Sequence, residues 1–325
     1  MSASDSHKRL DICKHARKLI SLVLLFTLAL AGCTWIPVIT PPAAQAAPSV
    51  APGLNGGVGQ AGAYGGKKFA VLVAIEAYPW FPGPLKYCLE DLQDMKEVLI
   101  KNCGFKQANI FELKDASATR AKLKDVILNR LDPREGPKDT VVFFFSGHGW
   151  PSIFGSGEGL YLSDGIMFDS QFDNLLSNLE TRKLVVLLDS CFSGGFAGGG
   201  ATKGVQGVSG LPGSSPSVSL AQKLSGEGRV VLTACKAMEQ SDEYPDLQNG
   251  LFTYYLCEAL KSRVADTDSN RHIDTNEAYN YLWPLVLQYS QNAHSLNPNR
   301  PVQHPQIYSG IPGGLELSKL SRDRF

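Results

Sequence analysis

Two unbroken apolar runs, each ending at a reactive side chain, constrain this chain more than any other feature. Val141, Val142, Phe143, Phe144 and Phe145 lead into Ser146, Gly147, His148 and Gly149. Leu184, Val185, Val186, Leu187 and Leu188 lead into Asp189, Ser190, Cys191, Phe192, Ser193 and Gly194. About five consecutive apolar residues describe a strand covered on both faces, as in a parallel sheet sheathed by helices. In such sheets the chemistry sits beyond the carboxyl ends of the strands. The chain between the two runs is long enough for a helical crossover, so the strands can be parallel neighbours. An imidazole and a thiol would then leave the sheet side by side.

That pairing has chemical content. A free cysteine thiol titrates near ~8.5 and is mostly protonated at neutral pH. A neighbouring imidazole can take the proton and leave a nucleophilic thiolate. Gly147 and Gly149 allow backbone to approach a substrate with no Cβ in the way. The N–H groups of Gly149 and Cys191 are candidates to face a developing oxyanion, where one such donor contributes roughly 3 kcal/mol in acyl transfer.

These residues resemble the caspase–metacaspase group of cysteine peptidases, whose pattern is one strand ending S-G-H-G and a later strand ending D-S-C-x-S-G. The resemblance runs from about residue 69 to residue 310. It takes in a first strand at Phe69, Ala70, Val71, Leu72, Val73, Ala74 and Ile75. The segment Leu85, Lys86, Tyr87, Cys88, Leu89, Glu90, Asp91 is similar to the metacaspase G-C-x-N-D segment. A further strand stands at Val230, Val231, Leu232, Thr233 and Ala234, and Gly250, Leu251, Phe252 and Thr253 resemble the family's G-x-F-T helix start. By position, the resemblance implies that Cys191 is the nucleophile and His148 the general base and acid. It also implies that Asp91 and Asp189 hold the substrate's P1 side chain, with Cys88 and Ser146 lining the same pocket. Two carboxylates in a partly desolvated pocket favour a cation, arginine bidentately and lysine as a point charge. The implied preference is therefore Arg or Lys at P1. Lys86, Tyr87 and Glu90 depart from the metacaspase segment, Phe192 replaces its usual histidine, and the caspase string Q-A-C-R-G is absent.

The implied fold is α/β, a caspase-like sandwich with a mostly parallel central sheet and helices on both faces. The sequence pattern agrees. Strands near 69–75, 109–113, 140–145, 184–188 and 229–234 alternate with helical patterns near 88–103, 117–131, 170–180, 250–263 and 275–290. Ser117 and Asp169 are candidate N-caps. Residues 67–325 make one domain of about 260 residues, a size a single core supports. The chain holds 31 basic and 31 acidic residues, so no basic field directs it to nucleic acid. Seven cysteines in a chain with no CxxC spacing fit a catalytic thiol better than a disulfide scaffold or zinc site. No organic cofactor is implied, polypeptides are the implied substrates, and the oligomeric state stays open. The alternative class is a catalytically silent caspase-like binding or scaffolding module. Serine hydrolysis through Ser190 or Ser193 is disfavoured because neither sits in G-x-S-x-G.

The front of the chain reads as an address. Lys8, Arg9, Lys14, Arg17 and Lys18 precede an apolar stretch at 19–31, shorter than the ~20 residues of a membrane span. It ends Leu30, Ala31, Gly32, Cys33, matching the bacterial lipobox, so residues 1–32 form a lipoprotein signal peptide and Cys33 carries the lipid. This puts the protein on the cell envelope, at the outer membrane or periplasmic face. The competing reading is cleavage after Ala44, Gln45 and Ala46 and a secreted enzyme. Residues 33–66 are a Pro/Ala/Gly tether.

Two further segments carry expectations. The Gly/Ser insert at 194–218 follows the nucleophile directly and contains Lys203, a candidate self-cleavage site, with Lys223 second; a plain spacer is the other reading. Residues 266–277 set Asp266, Asp268, Asn270, Asp274 and Glu277 at positions 1, 3, 5, 9 and 12 of an EF-hand loop. His272 holds position 7 and Ile273 the apolar position 8, so the segment is a candidate Ca²⁺ site. Arg271 stands where glycine is usual, and an acidic turn capped by Asp274 or Thr275 is the alternative. Metacaspases often need calcium through other acidic residues, and Asp164 is the nearest candidate by position.

Overall fold

The computed structural model describes residues 66–78, 83–150, 158–191, 220–236 and 239–320, with the backbone of 45–46. The strands of the main sheet are β1 (Lys68–Ala74), β2 (Ile110–Lys114), β3 (Thr140–Ser146), β6 (Leu184–Asp189), β7 (Arg229–Thr233) and β9 (Gln306–Ser309). Their order across the sheet is β2-β1-β3-β6-β7-β9, with the two-residue strand Gln45–Ala46 beyond β9. All pairs from β2 to β7 are parallel, β9 runs antiparallel to β7, and Gln45–Ala46 runs parallel to β9.

Every residue of β3 and β6 is buried. Successive strand residues point to opposite faces, so both faces of the sheet centre are covered. The apolar runs follow from that geometry, since a polar residue at any position would lose its water. At the edge the pattern relaxes: β2 alternates half-buried and buried positions before ending exposed. Phe143, Phe144 and Phe145 are fully buried at the centre, each stabilising the fold by roughly 1.5–3 kcal/mol.

The helices are α1 (Cys88–Lys101), α2 (Arg120–Asp125), α3 (Asp169–Leu176), α4 (Leu220–Leu224), α5 (Leu251–Ala259) and α6 (Thr275–Leu296). They fall into two packed groups. Helix α5 rests on α1 and α6, while α3 rests on α4 and on the turn at Val126–Leu131 that extends α2. Among the described residues no helix is long and apolar enough to cross a membrane.

The observed elements correct some details of the sequence reading. Thr119, not Ser117, caps α2, accepting the Lys122 N–H at 3.1 Å, and Ser117 instead closes a turn on Lys114. Phe168 occupies the N-cap of α3, and Asp169 lies inside the helix, paired with Lys223. Additional pairings lie outside the alternating pattern. Beyond β9, these include the hairpin β4 (Gly159–Leu162) with β5 (Gly165–Phe168), and β8 (His272–Asp274) with β10 (Glu316–Lys319).

Candidate active site

Register, not proximity in sequence, brings the candidate dyad together. Strands β3 and β6 pair with Ser146 opposite Asp189. His148 and Cys191 each follow two residues later, so both leave the sheet at the same level of its carboxyl rim. The Gly147 N–H donates to Asp189 O at 3.3 Å, extending the pairing one step past the strands.

His148 is 2% exposed and held on three sides. Its backbone N–H donates to Tyr78 Oη at 2.9 Å, and that hydroxyl donates to Tyr161 O at 2.9 Å. The Tyr78 ring lies against the imidazole at 4.6 Å between centroids. Nε2 stands 2.9 Å from the carbonyl oxygen of Gly83. A carbonyl only accepts, so the ring proton sits on Nε2 and Nδ1 is the basic nitrogen. Gly147 explains itself here: a Cβ on it would lie 2.6 Å from Tyr78 Oη and 3.0 Å from Phe145. Gly149 opens a short antiparallel bridge, paired with Leu160 of the hairpin.

Cys191, two residues past β6, is held by the main chain of Ser241. The Ser241 N–H donates to its Sγ, and Sγ lies 3.4 Å from Ser241 O. The Ser241 hydroxyl donates to Asp189 Oδ1 at 2.8 Å and accepts from Gln303 Nε2 at 3.2 Å. One residue thus ties the sulfur to the carboxylate two positions before it.

The four residues assigned to the P1 pocket are all fully buried at this rim. Ser146 donates to Asp91 Oδ2 at 2.7 Å. Asp91 Oδ1 accepts from the Gly250 N–H at 2.8 Å and from Asn249 Nδ2 at 3.2 Å. Asp189 Oδ2 accepts the Thr253 hydroxyl at 2.6 Å and its N–H at 3.1 Å. The Gly250 to Thr253 segment therefore serves both carboxylates at once, a physical reason for a glycine and a threonine three residues apart. Cys88 Sγ sits 3.6 Å from Glu243 Oε1. Glu243 also accepts the backbone N–H groups of Lys86 and Tyr87, both at 3.0 Å, pinning the entrance to α1. Tyr78, Gly83, Ser241 and Glu243 were not among the sequence candidates.

The acidic loop at 266–277 adopts part of the arrangement that its spacing suggests. Arg271 takes φ 69, the left-handed conformation that position 6 demands. Its N–H donates to Asp266 Oδ2 at 2.9 Å. Carboxylate oxygens of Asp266, Asp268 and Glu277 lie within 4.8 Å of one another, and Asp266 Oδ1 is buried with no hydrogen-bond partner. Hard oxygen donors of this kind fit Ca²⁺. Glu277 also accepts from Thr267 and Asp274 N–H groups and Asp268 from Asn270, and the other assigned ligands are committed elsewhere. The His272 ring faces β10, with Nδ1 2.6 Å from Glu316. Asp274 is the N-cap of α6, accepting from Asn276 and Glu277 N–H groups, and Asn270 Oδ1 accepts the His272 N–H. Asp164 is bound to Arg120, accepting its N–H at 2.8 Å. Cys33 and Lys203 lie outside the described residues. Lys223 sits within α4 in its ion pair with Asp169, which removes it as an extended scissile segment.

A mostly parallel sheet carrying histidine and cysteine on adjacent strand ends defines the caspase-like class of α/β folds. Solved structures agree on the fold. A protein of Geobacter sulfurreducens matches with a TM-score of 0.52 at 19% identity, over 78% of this chain and 100% of that one. Caspase-1 of Spodoptera frugiperda matches with a TM-score of 0.51 at 15% identity, over 80% and 92%. The profile of the peptidase C14 family, the caspase domain, matches residues 67–292. The chain belongs to this caspase–metacaspase family of cysteine peptidase domains. Metacaspase-9 of Arabidopsis thaliana is 32% identical over 145 residues, which is 40% of this chain and 44% of that protein. Metacaspase-1 of Schizosaccharomyces pombe is 28% identical over 149 residues, 40% and 35%. The matches thus span less than half the length of these relatives.

Proposed function

We propose that this domain is a cysteine endopeptidase that cuts polypeptides after Arg or Lys through a Cys191–His148 dyad. The observation that carries the reading is the Ser146–Asp189 register, which delivers both side chains to one rim beside two buried carboxyl groups. His148 Nδ1 takes the thiol proton, and Sγ attacks the scissile carbonyl carbon. The N–H groups of Gly149 and Cys191 receive the oxyanion. The imidazolium then protonates the leaving amine, and a thioester joins the acyl group to Cys191. Water gives a proton to His148 as it attacks the thioester, releasing the acid and restoring the thiol. Asp91 and Asp189, with Cys88 and Ser146, receive the basic P1 side chain. The test is turnover of Arg-, Lys- and Asp-amide fluorogenic peptides. Wild type is expected to cleave the first two, and Cys191→Ala none; equal rates for the two proteins defeat the proposal.

Three subsidiary readings belong with it. The acidic loop binds Ca²⁺ through Asp266, Asp268 and Glu277, and titration calorimetry on the folded domain should register heat that Glu277→Gln abolishes. Lipid on Cys33 holds the enzyme at the cell envelope, so Cys33→Ser should move it from the membrane fraction to the soluble one. Self-cleavage after Lys203 should shorten wild type but leave Cys191→Ala at its full mass.

A further inference from the structure

A second thiol stands beside the candidate nucleophile. Strands β6 and β7 are parallel neighbours with Leu188 opposite Thr233, and the Ala234 N–H donates to Leu188 O at 2.9 Å. The two strands leave the sheet together, one towards Cys191 and the other towards Cys235. Neighbouring strands lie about 4.8 Å apart, inside the Cα separation that a disulfide spans.

The sulfurs share one enclosure. Cys235 Sγ lies 3.8 Å from the carbonyl oxygen of Ser190, the residue before Cys191, and 3.4 Å from Glu239 O. Cys191 Sγ is held by the main chain of Ser241. Cys235 and Cys191 are thus both held by main-chain groups at Ser190, Glu239 and Ser241, and both cysteines are reduced and buried. A hydrogen bond donated by the Cys235 S–H to Cys191 is the leading cause that raises the Cys235 thiol well above its ordinary range, with burial second. Cys235 Sγ thus packs against the peptide group that leads into Cys191.

We propose that Cys191 and Cys235 form a reversible redox pair, in which a hydroperoxide converts the active nucleophile into an inactive intramolecular disulfide. This deepens the peptidase reading and rests on Cys191 as the reactive thiol. In the first step the Cys191 thiolate attacks hydrogen peroxide, the O–O bond breaks, and Cys191 sulfenic acid and hydroxide form. In the second, Cys235 sulfur attacks the sulfenic sulfur, the S–O bond breaks, and water leaves with the thiol proton. Two thiols are oxidised, one peroxide is reduced, and two waters result. A dithiol reverses the bond by exchange.

The test treats the whole chain with hydrogen peroxide, quenches it by alkylation, and maps non-reduced peptides by mass spectrometry. A protein two hydrogens lighter, with peptides of Cys191 and Cys235 cross-linked and both thiols restored by dithiothreitol, is the expected result. In Cys235→Ser, Cys191 should instead advance to the sulfinic and sulfonic acids, which dithiothreitol does not reverse. A cross-link to Cys88, or irreversible oxidation of Cys191 in wild type as fast as in Cys235→Ser, overturns the proposal. The cross-link is read from wild type alone, so a poorly folding variant leaves the test intact. Mass is also read without turnover. A cross-link in a protein that cleaves no peptide would uphold the pair and sink the peptidase reading.

Discussion

Asp189 shows how little of a site one residue type reveals. Sequence places it two residues before Cys191; only the fold surrounds it with Thr253 and Ser241. Asp189→Asn keeps the shape of the group but removes its charge. We expect kcat/KM for Arg and Lys peptides to fall about 10²-fold, with no new preference for neutral P1 residues, by steady-state kinetics. An unchanged ratio of basic to neutral substrates would place the P1 determinant elsewhere. The motif residues were legible because reactive side chains stood at the ends of apolar runs. Gly83, Ser241 and Glu243 were not, because they act through a carbonyl, a main-chain N–H and a distant helix entrance. Contacts of that kind leave no trace in composition or periodicity. Arg271 is the reverse case: its residue type argued against the loop conformation that its backbone adopts.

At the level of elements, unbroken apolar runs and helix spacing made the parallel core readable. The apolar runs at 141–145 and 184–188 fall inside β3 and β6, and the five helical patterns each hold a helix. The exceptions have physical causes. Strand β9 has only Ile307 and Tyr308 as apolar members and follows Pro305, so nothing marks it as a strand before β7 is there to pair with it. The β4–β5 hairpin is made of two four-residue strands, too short for a periodic signal, and its turn reaches φ 127 at Gly165. Two substitutions probe how elements hold the candidate dyad. Phe144→Ala should cost roughly 3–5 kcal/mol, measured by urea unfolding, because a fully buried ring at the sheet centre leaves a cavity. Gly147→Ala should cost about 1–3 kcal/mol by overpacking against Tyr78. It should also lower turnover out of proportion to stability, since Tyr78 Oη accepts the His148 N–H. Retention of full activity by Gly147→Ala would remove Tyr78 as the support of the imidazole.

Across the molecule, two half-buried or buried carboxyl groups shape the pH response. Burial lifts the Glu76 carboxyl from 4.5 to about 7, with Glu90 and Asp115 adding to the rise and the Leu89 N–H opposing it. Burial likewise lifts Asp242 from 3.8 to about 6 despite the Arg300 guanidinium beside it. Between the unfolded and folded values the native state binds more protons than the unfolded chain. Each group's stabilising contribution is therefore complete below its unfolded value and is lost as pH rises through the folded one. Stability measured by urea unfolding should fall as pH climbs from about 4 to 7, and Glu76→Gln should flatten the upper part of that slope. A slope that the substitution leaves unchanged would assign the titration to other groups.

The central claim is that one sheet rim joins a nucleophilic sulfur, a basic imidazole nitrogen and an acidic pocket. Cleavage profiling on a diverse peptide library, read by mass spectrometry, tests all three together. The account predicts cuts confined to the carboxyl side of Arg and Lys in wild type, and none with Cys191→Ala or His148→Ala. Cuts after other residues, or cuts that survive in Cys191→Ala, would contradict it.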